Sequence, residues 1–305
     1  MLHIACDPIY CHPLPPGPGG EPHRFPMLKY ELIPEQLLYE GTCSSDNFFS
    51  PGTLDERWIL GVHTPAYWED LKQLRISEKM VRRIGFPLSE QLIQRETRIA
   101  QGTVECCRYA FEFGISMNVA GGTHHAYADR GEGFCLLNDV AIAAHYLLEN
   151  NLAQKITVID LDVHQGNGTA VIFQNEPRVF TFSMHGKDNY PLHKEISDLD
   201  IALPTGTRDD AYLAQLSTAL PALLQQQQPD FAFYISGVDI LGTDKLGKLN
   251  VSIAGCRQRD EFVFEQCQKY QIPVVVSMGG GYSPRLTDIV EAHCNTYRVA
   301  QKMYF

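Results

Sequence analysis

Short runs of β-branched and apolar residues alternate along this chain with longer segments whose apolar residues recur every three or four positions. The short runs, at 2–5, 115–120, from 156, 179–183, 231–235 and 272–277, have the length and the bounding polar or glycine signals of buried strands in a parallel sheet. Between them the spacing predicts helices over 95–113, from Asn138 as a cap, from Asp210, over 260–270 and at the end of the chain. The helix after Asn138 gathers Val140, Ala143, Ala144, Leu147 and Leu148 on one face; the helix from Asp210 gathers Leu213, Leu216, Leu220, Leu223 and Leu224. Pro221 is expected to kink that helix, and Pro229 to stop it after the exposed run Gln225 to Gln228. Cys11 to Gly20, rich in proline and glycine, reads as loop. Helix-like patterns with polar faces follow from His23 to about Phe113, where Arg24, Lys29 and Tyr30 read as surface or packing residues. The repeated strand, helix, strand order is that of an α/β domain with a parallel sheet. No linker interrupts it, so 1–305 reads as one domain.

Composition narrows the setting. At 44% hydrophobic residues and with no apolar run long enough to cross a bilayer, the chain is expected to stay out of membranes. Its first residues lack a basic region followed by a long apolar stretch, and a cytoplasmic location is expected. The nine cysteines show no close CxxC framework, and Cys106 and Cys107 fall inside a helical pattern, so free thiols are expected. A net charge of −11 disfavours nucleic acid as a partner and would tolerate a basic peptide or polyamine.

The polar residues that stand out lie at or just after the ends of predicted strands: His124 and His125, then Asp160, Asp162 and His164, then Asp239, then Tyr282. If the strand from 156 stays extended, Asp160, Asp162 and His164 project to one side. Burying two carboxylates and an imidazole together is costly without a compensating cation, so a metal site is the simplest reading. Asp162, His164 and Asp239 supply three protein ligands and leave a position open for water, as catalytic zinc requires. Ferrous iron would accept the same donors. For any one such aspartate, a turn or helix cap is an equally good reading; three together shift the balance. His124 and His125 could act as general base and general acid, Asp160 orienting one ring and Asn167 supporting the other without adding charge. On that reading His125 stays neutral and serves as the base. Tyr282, carried past three glycines, is placed to reach a developing oxyanion, although packing against the last helix is the plain alternative. Phe134 and Tyr190 could wall a narrow channel, with core packing as the default for either.

These motifs resemble those of the zinc-dependent histone deacetylases, and most closely the class IV branch with related bacterial enzymes. The likeness rests on Gly121-Gly122-Thr123-His124-His125, Asp129 to Cys135, Asp160 to Gly168, Gly237 to Gly247 and Gly279 to Tyr282, in family order, with His23 to Met27 at the N-terminal end. The resemblance implies a single α/β domain, shared with arginases, whose mostly parallel sheet has roughly eight strands flanked by helices. It implies that Asp162, His164 and Asp239 bind zinc, that His124, His125 and Tyr282 are catalytic, and that Asp160 and Asn167 stand behind the histidines. It further implies that Gly133 accepts the substrate amide N–H while Phe134, Tyr190 and Leu246 contact the acyl-lysine. A potassium ion is implied at Asp160, Asp162, His164, Ser183 and Met184, the last through its backbone. Two departures stand out. Gln165 and Asn167 replace a His and an Asp found in many members, and the loop near Gly85 to Ser89 shows no counterpart of the aspartate that grips peptide backbone in some classes.

The expected activity is therefore hydrolysis of an acetyl or longer acyl group from the ε-amine of lysine, in a peptide or protein. The rival substrate is an acetylated polyamine, and the rival from another class is a non-catalytic acyl-lysine binding module. Arginase-like chemistry is disfavoured, because its two-metal cluster needs further Asp ligands that Gln165-Gly166-Asn167 does not supply.

Overall fold

Every strand among the described residues runs in the same direction within one sheet, so each delivers its C-terminal end to the same side of the molecule. The computed structural model describes residues 1–16, 19–21 and 23–305. The strands are β1 (His3–Ala5), β2 (Phe48–Phe49), β3 (Ile115–Asn118), β4 (Ile156–Asp160), β5 (Val179–Gly186), β6 (Leu199–Leu203), β7 (Phe231–Ile235) and β8 (Val274–Ser277). Their order is β2-β1-β3-β8-β7-β4-β5-β6, every pairing parallel. The chain leaves β3 for β4 and only later fills the two places between them with β7 and β8. Loops following four adjacent strands thus open into one crevice, the position at which parallel α/β sheets bind ligands.

The central strands β3, β4, β7 and β8 are buried at every residue, which is why they read as continuous apolar runs. β2 has only two residues, and β6 is an edge strand, Leu-Asp-Ile-Ala-Leu, with exposed Asp200 and Ala202, so neither carries a readable pattern. The expected strands 115–120 and 272–277 are each two residues shorter, while β5 extends to Gly186.

Helices cover the sheet. The longest, Glu90–Phe113, begins five residues before the expected start, because Ser89 caps it by accepting from the Leu92 N–H at 3.1 Å. Helix Ile253–Lys269 likewise begins well before 260, capped by Ser252. Asp209–Gln227 runs through Pro221 as one helix and ends on Gln228 in the left-handed conformation. A helix over Asn167–Phe173, absent from the sequence pattern, starts immediately behind the Asp160 to His164 turn. The expected loop Cys11 to Gly20 lies outside the described residues at 17 and 18. All nine cysteines are unpaired. No helix among the described residues is long and apolar enough to cross a membrane.

Asn138 ties this frame to the crevice. Its side chain accepts from the Ala141 N–H at 3.0 Å and donates to the Ala126 carbonyl and the Thr169 hydroxyl at 3.2 and 3.0 Å, wholly buried. Asn138→Ala should lower the unfolding free energy by about 2–4 kcal/mol, a cap lost together with buried groups left unpaired, read as a lower urea midpoint.

Candidate active site

β4 ends at Asp160 and the chain then bends, so Asp160, Asp162 and His164 do not form the single extended row expected of a longer strand. The bend separates them. Asp160 turns to His124, whose Nδ1 lies 2.7 Å from its Oδ2. Asp162 and His164 instead meet Asp239 from the β7 loop: His164 Nδ1 lies 3.0 Å from Asp162 Oδ1 and 3.2 Å from Asp239 Oδ2. Gly166 leaves the bend with an ordinary negative φ, so its role is closeness: a Cβ there would collide with Asp160 Oδ2.

One ligand atom from each of Asp162, His164 and Asp239 lies within 4.8 Å of the others, and all three residues are buried. Backbone donors occupy the remaining oxygens. Gly280 N–H reaches Asp162 Oδ2 at 2.8 Å, His164 N–H reaches Asp162 Oδ1 at 2.9 Å, and Val163 N–H reaches Asp239 Oδ1 at 2.9 Å. Of these oxygens only Asp239 Oδ2 is buried without a hydrogen bond, because the His164 Nδ1 that lies 3.2 Å from it is directed to Asp162 Oδ1 at 3.0 Å. Burial first, then the negative charge of Asp162, raises the Asp239 carboxyl to about 7. A divalent cation among these atoms would satisfy the orphaned oxygen and cancel the repulsion, so the donor set fits a metal with mixed imidazole and carboxylate ligands.

The two neighbouring histidines have opposite surroundings. For His124 burial opposes charge, but Asp160 and Asp162 outweigh it and raise its pKa to about 9. For His125 burial and the adjacent His124 and His164 push the pKa well below the ordinary value. Its Nδ1 lies 2.6 Å from Asn167 Oδ1. A chain of donors orients that amide: the Tyr127 hydroxyl donates to Glu195 at 3.1 Å and accepts from Asn167 Nδ2 at 2.9 Å. The Asn167 oxygen therefore faces His125, Nδ1 carries the proton, and Nε2 keeps a free lone pair.

Tyr282 sits above this centre on a pinned loop. Its N–H donates to Asp244 Oδ2 at 2.6 Å, and Asp244 Oδ1 takes the Leu246 and Gly247 N–H groups at 2.8 Å. Its ring centroid lies 6.3 Å from that of His164 and 5.8 Å from that of Phe134. Burial, then Asp162 and Asp239, raises its pKa, so the hydroxyl remains a donor. Lys29, expected at the surface or in packing, is fully buried beneath the same loop, donating to the Gly279 carbonyl at 3.2 Å. Arg259, also fully buried, braces the β7 loop by donating to the Gly237 and Ser236 carbonyls at 2.5 and 3.2 Å.

A cavity of about 500 Å³ leads to the centre, lined by Gly133, Phe134, Tyr190, Leu246 and Tyr282 with His125 and His164 at its base. Gly133 and Phe134 both have positive φ, 53° and 67°. A Cβ on Gly133 would lie 2.6 Å from His125 Cδ2, so only glycine fits against that ring. Ser183 pairs in register with Asp160 across β4 and β5, and Met184 next to it is buried. Sequence reasoning missed Tyr127, Glu195, Asp244 and Arg259. Each acts through a partner distant in the chain, so no local signal marks it.

A model of the histone deacetylase domain matches residues 22–297. The chain belongs to the histone deacetylase family. An uncharacterised protein of Picosynechococcus is 43% identical over 97% of this chain and 99% of its own length. Histone deacetylase 2 of Arabidopsis thaliana is 30% identical over 85% of this chain and 70% of its own. The crystal structure of the HDA15 HD domain superposes with a TM-score of 0.81 at 20% identity, covering 96% of this chain and 89% of that one, and establishes the fold. Its eight-stranded parallel sheet, flanked by helices in one α/β domain, is thus that of a histone deacetylase, and a deacetylase-type hydrolase is the class of activity that goes with the family.

The contrast between Asp160 and Asn167 is testable in this histone deacetylase homologue. Asn167→Asp would place a carboxylate beside His125 and stabilise its protonated form. The acidic limb of the pH–rate profile should then move up by roughly one pH unit. An unmoved limb would remove His125 as the titrating base.

Proposed function

We propose that this protein is a metal-dependent amidohydrolase that removes an acetyl group from the ε-amine of lysine. The observation carrying this reading is the meeting of Asp162, His164 and Asp239 with His124, His125 and Tyr282 at the base of one channel. A zinc or ferrous ion held by the first three residues would supply Lewis acidity towards the amide carbonyl and acidify a water molecule.

The chain's own residues divide the remaining work. His125, neutral and with Nε2 open, accepts the proton of the attacking water. His124, backed by Asp160, assists departure of the amine. The Tyr282 hydroxyl donates to the carbonyl oxygen as negative charge develops there, from a loop fixed in advance by Asp244 and Lys29. The Gly133 carbonyl receives the substrate amide N–H, and Phe134, Tyr190 and Leu246 flank the lysine methylenes. Asp160, Asp162, His164, Ser183 and Met184 would hold a potassium ion behind the centre. The space around His124, His125 and Tyr282 at the base of the channel is about 40 Å³, room for a few waters, which favours acetyl over a long acyl chain.

The deciding experiment loads the protein with zinc and measures hydrolysis of acetyl-, butyryl- and myristoyl-lysine peptides beside acetylputrescine. Acetyl-lysine should turn over best. Asp162→Ala should lose both turnover and the single bound zinc per chain found by metal analysis. Tyr282→Phe should keep the zinc and lower kcat about 10²- to 10³-fold. Stoichiometric zinc with no turnover of any substrate would overturn the deacylase and make a non-catalytic acyl-lysine binding module the reading to pursue.

A further inference from the structure

The mouth of the channel carries the opposite charge to the chain as a whole. Although the net charge is −11, the cavity is lined by Arg24, Arg83 and Lys248 against one carboxylate, Asp188. Two of these cations are uncommitted. Arg83 pairs with Glu132 at 3.1 Å, and Glu132 also takes Arg130 and the Tyr190 hydroxyl, so that carboxylate is fully engaged. Arg24 and Lys248 are exposed and have no carboxylate partner among the described residues.

Both are nonetheless positioned. The Arg24 guanidinium lies over the Phe134 ring, 4.9 Å from its centroid, on the channel wall. Lys248 Nζ is tethered to the Asp188 carbonyl oxygen at 2.8 Å. The Asp188 carboxylate accepts from the Thr205 hydroxyl at 2.8 Å, which fixes it in place and leaves it one negative charge against the cations of the rim. A ligand entering here therefore meets a net positive rim, with Arg24 from the N-terminal loop and Lys248 from the loop after β7 outside any ion pair and only Asp188 opposing them. Such charges steer and select ligands over about a Debye length, roughly 10 Å at 0.1 M salt.

We propose that this mouth selects acyl-lysine flanked by acidic residues and disfavours both basic peptides and acylated polyamines, which bring ammonium charge to the same place. This inference rests on the deacylase reading and fixes its substrate class. It reverses the expectation from net charge, because a substrate responds to the charges nearest its path and the remaining acidic groups are screened by distance and salt.

The test compares kcat/KM for acetyl-lysine peptides of equal length whose neighbours are aspartate and glutamate, alanine, or arginine and lysine, with acetylputrescine alongside. At low ionic strength the acidic peptide should exceed the basic one about tenfold, and added salt should narrow the gap. The double variant Arg24→Glu, Lys248→Glu should reverse the order. Each ratio is taken within one protein preparation, so a change in the folded fraction cancels. Equal rates or a basic preference in the unaltered protein would overturn the inference and leave the deacylase reading standing. Failure to hydrolyse any substrate would overturn the deacylase reading. Fluorescence anisotropy with the same peptides and zinc-loaded protein then judges the mouth alone: the acidic peptide must bind more tightly than the basic one, or the inference falls.

Discussion

Two carboxylates, Asp162 and Asp239, lie buried close together at the base of the channel, and the arrangement around them answers that repulsion. Backbone N–H groups of Gly280, His164 and Val163 satisfy three of their four oxygens. The fourth, Asp239 Oδ2, is left without a donor. A buried acceptor in that condition costs on the order of 1–3 kcal/mol, more when charged, so a cation held there would stabilise the fold. A metal bound at this pair would couple its binding to folding.

Parallel sheet topology makes the pairing possible. Asp162 follows β4, Asp239 follows β7, and the Gly280 amide follows β8, three neighbouring strands that end on the same side. The buried braces hold the geometry from behind. Arg259 grips carbonyls of the β7 loop and Lys29 grips one of the β8 loop, each from a helix or segment remote in sequence. Removing water from these cations costs free energy, which the carbonyl dipoles and nearby aspartates offset.

Around the pair, a difference of one atom type gives adjacent histidines opposite surroundings. Asp160 gives His124 a negative partner; Asn167 gives His125 a neutral acceptor. The same imidazole therefore rests in two protonation states, and the Tyr127 and Glu195 hydrogen bonds decide which nitrogen of His125 stays open. Charge placement continues to the rim, where uncommitted cations sit on an acidic protein.

By itself the sequence determined the central strands and the parallel α/β class, and it marked the candidate site residues. These are local facts: continuous apolar runs mark β4, β7 and β8, and Asp, His and Tyr set beside glycine at strand ends mark themselves. Helix starts at Ser89 and Ser252 escaped the periodicity because a capping hydroxyl, rather than an apolar stripe, sets them. Only the tertiary structure decided that Asp160 parts company with Asp162 and His164, because the bend after β4 breaks the alternation that an extended strand would impose. Only it decided that Lys29 lies under the site and that Tyr127, Glu195, Asp244 and Arg259 support it. The physical reason is the same in each case. Hydrogen bonds and charge pairs between residues far apart in the chain have no periodicity to read, and they exist only once the sheet has brought the loops together.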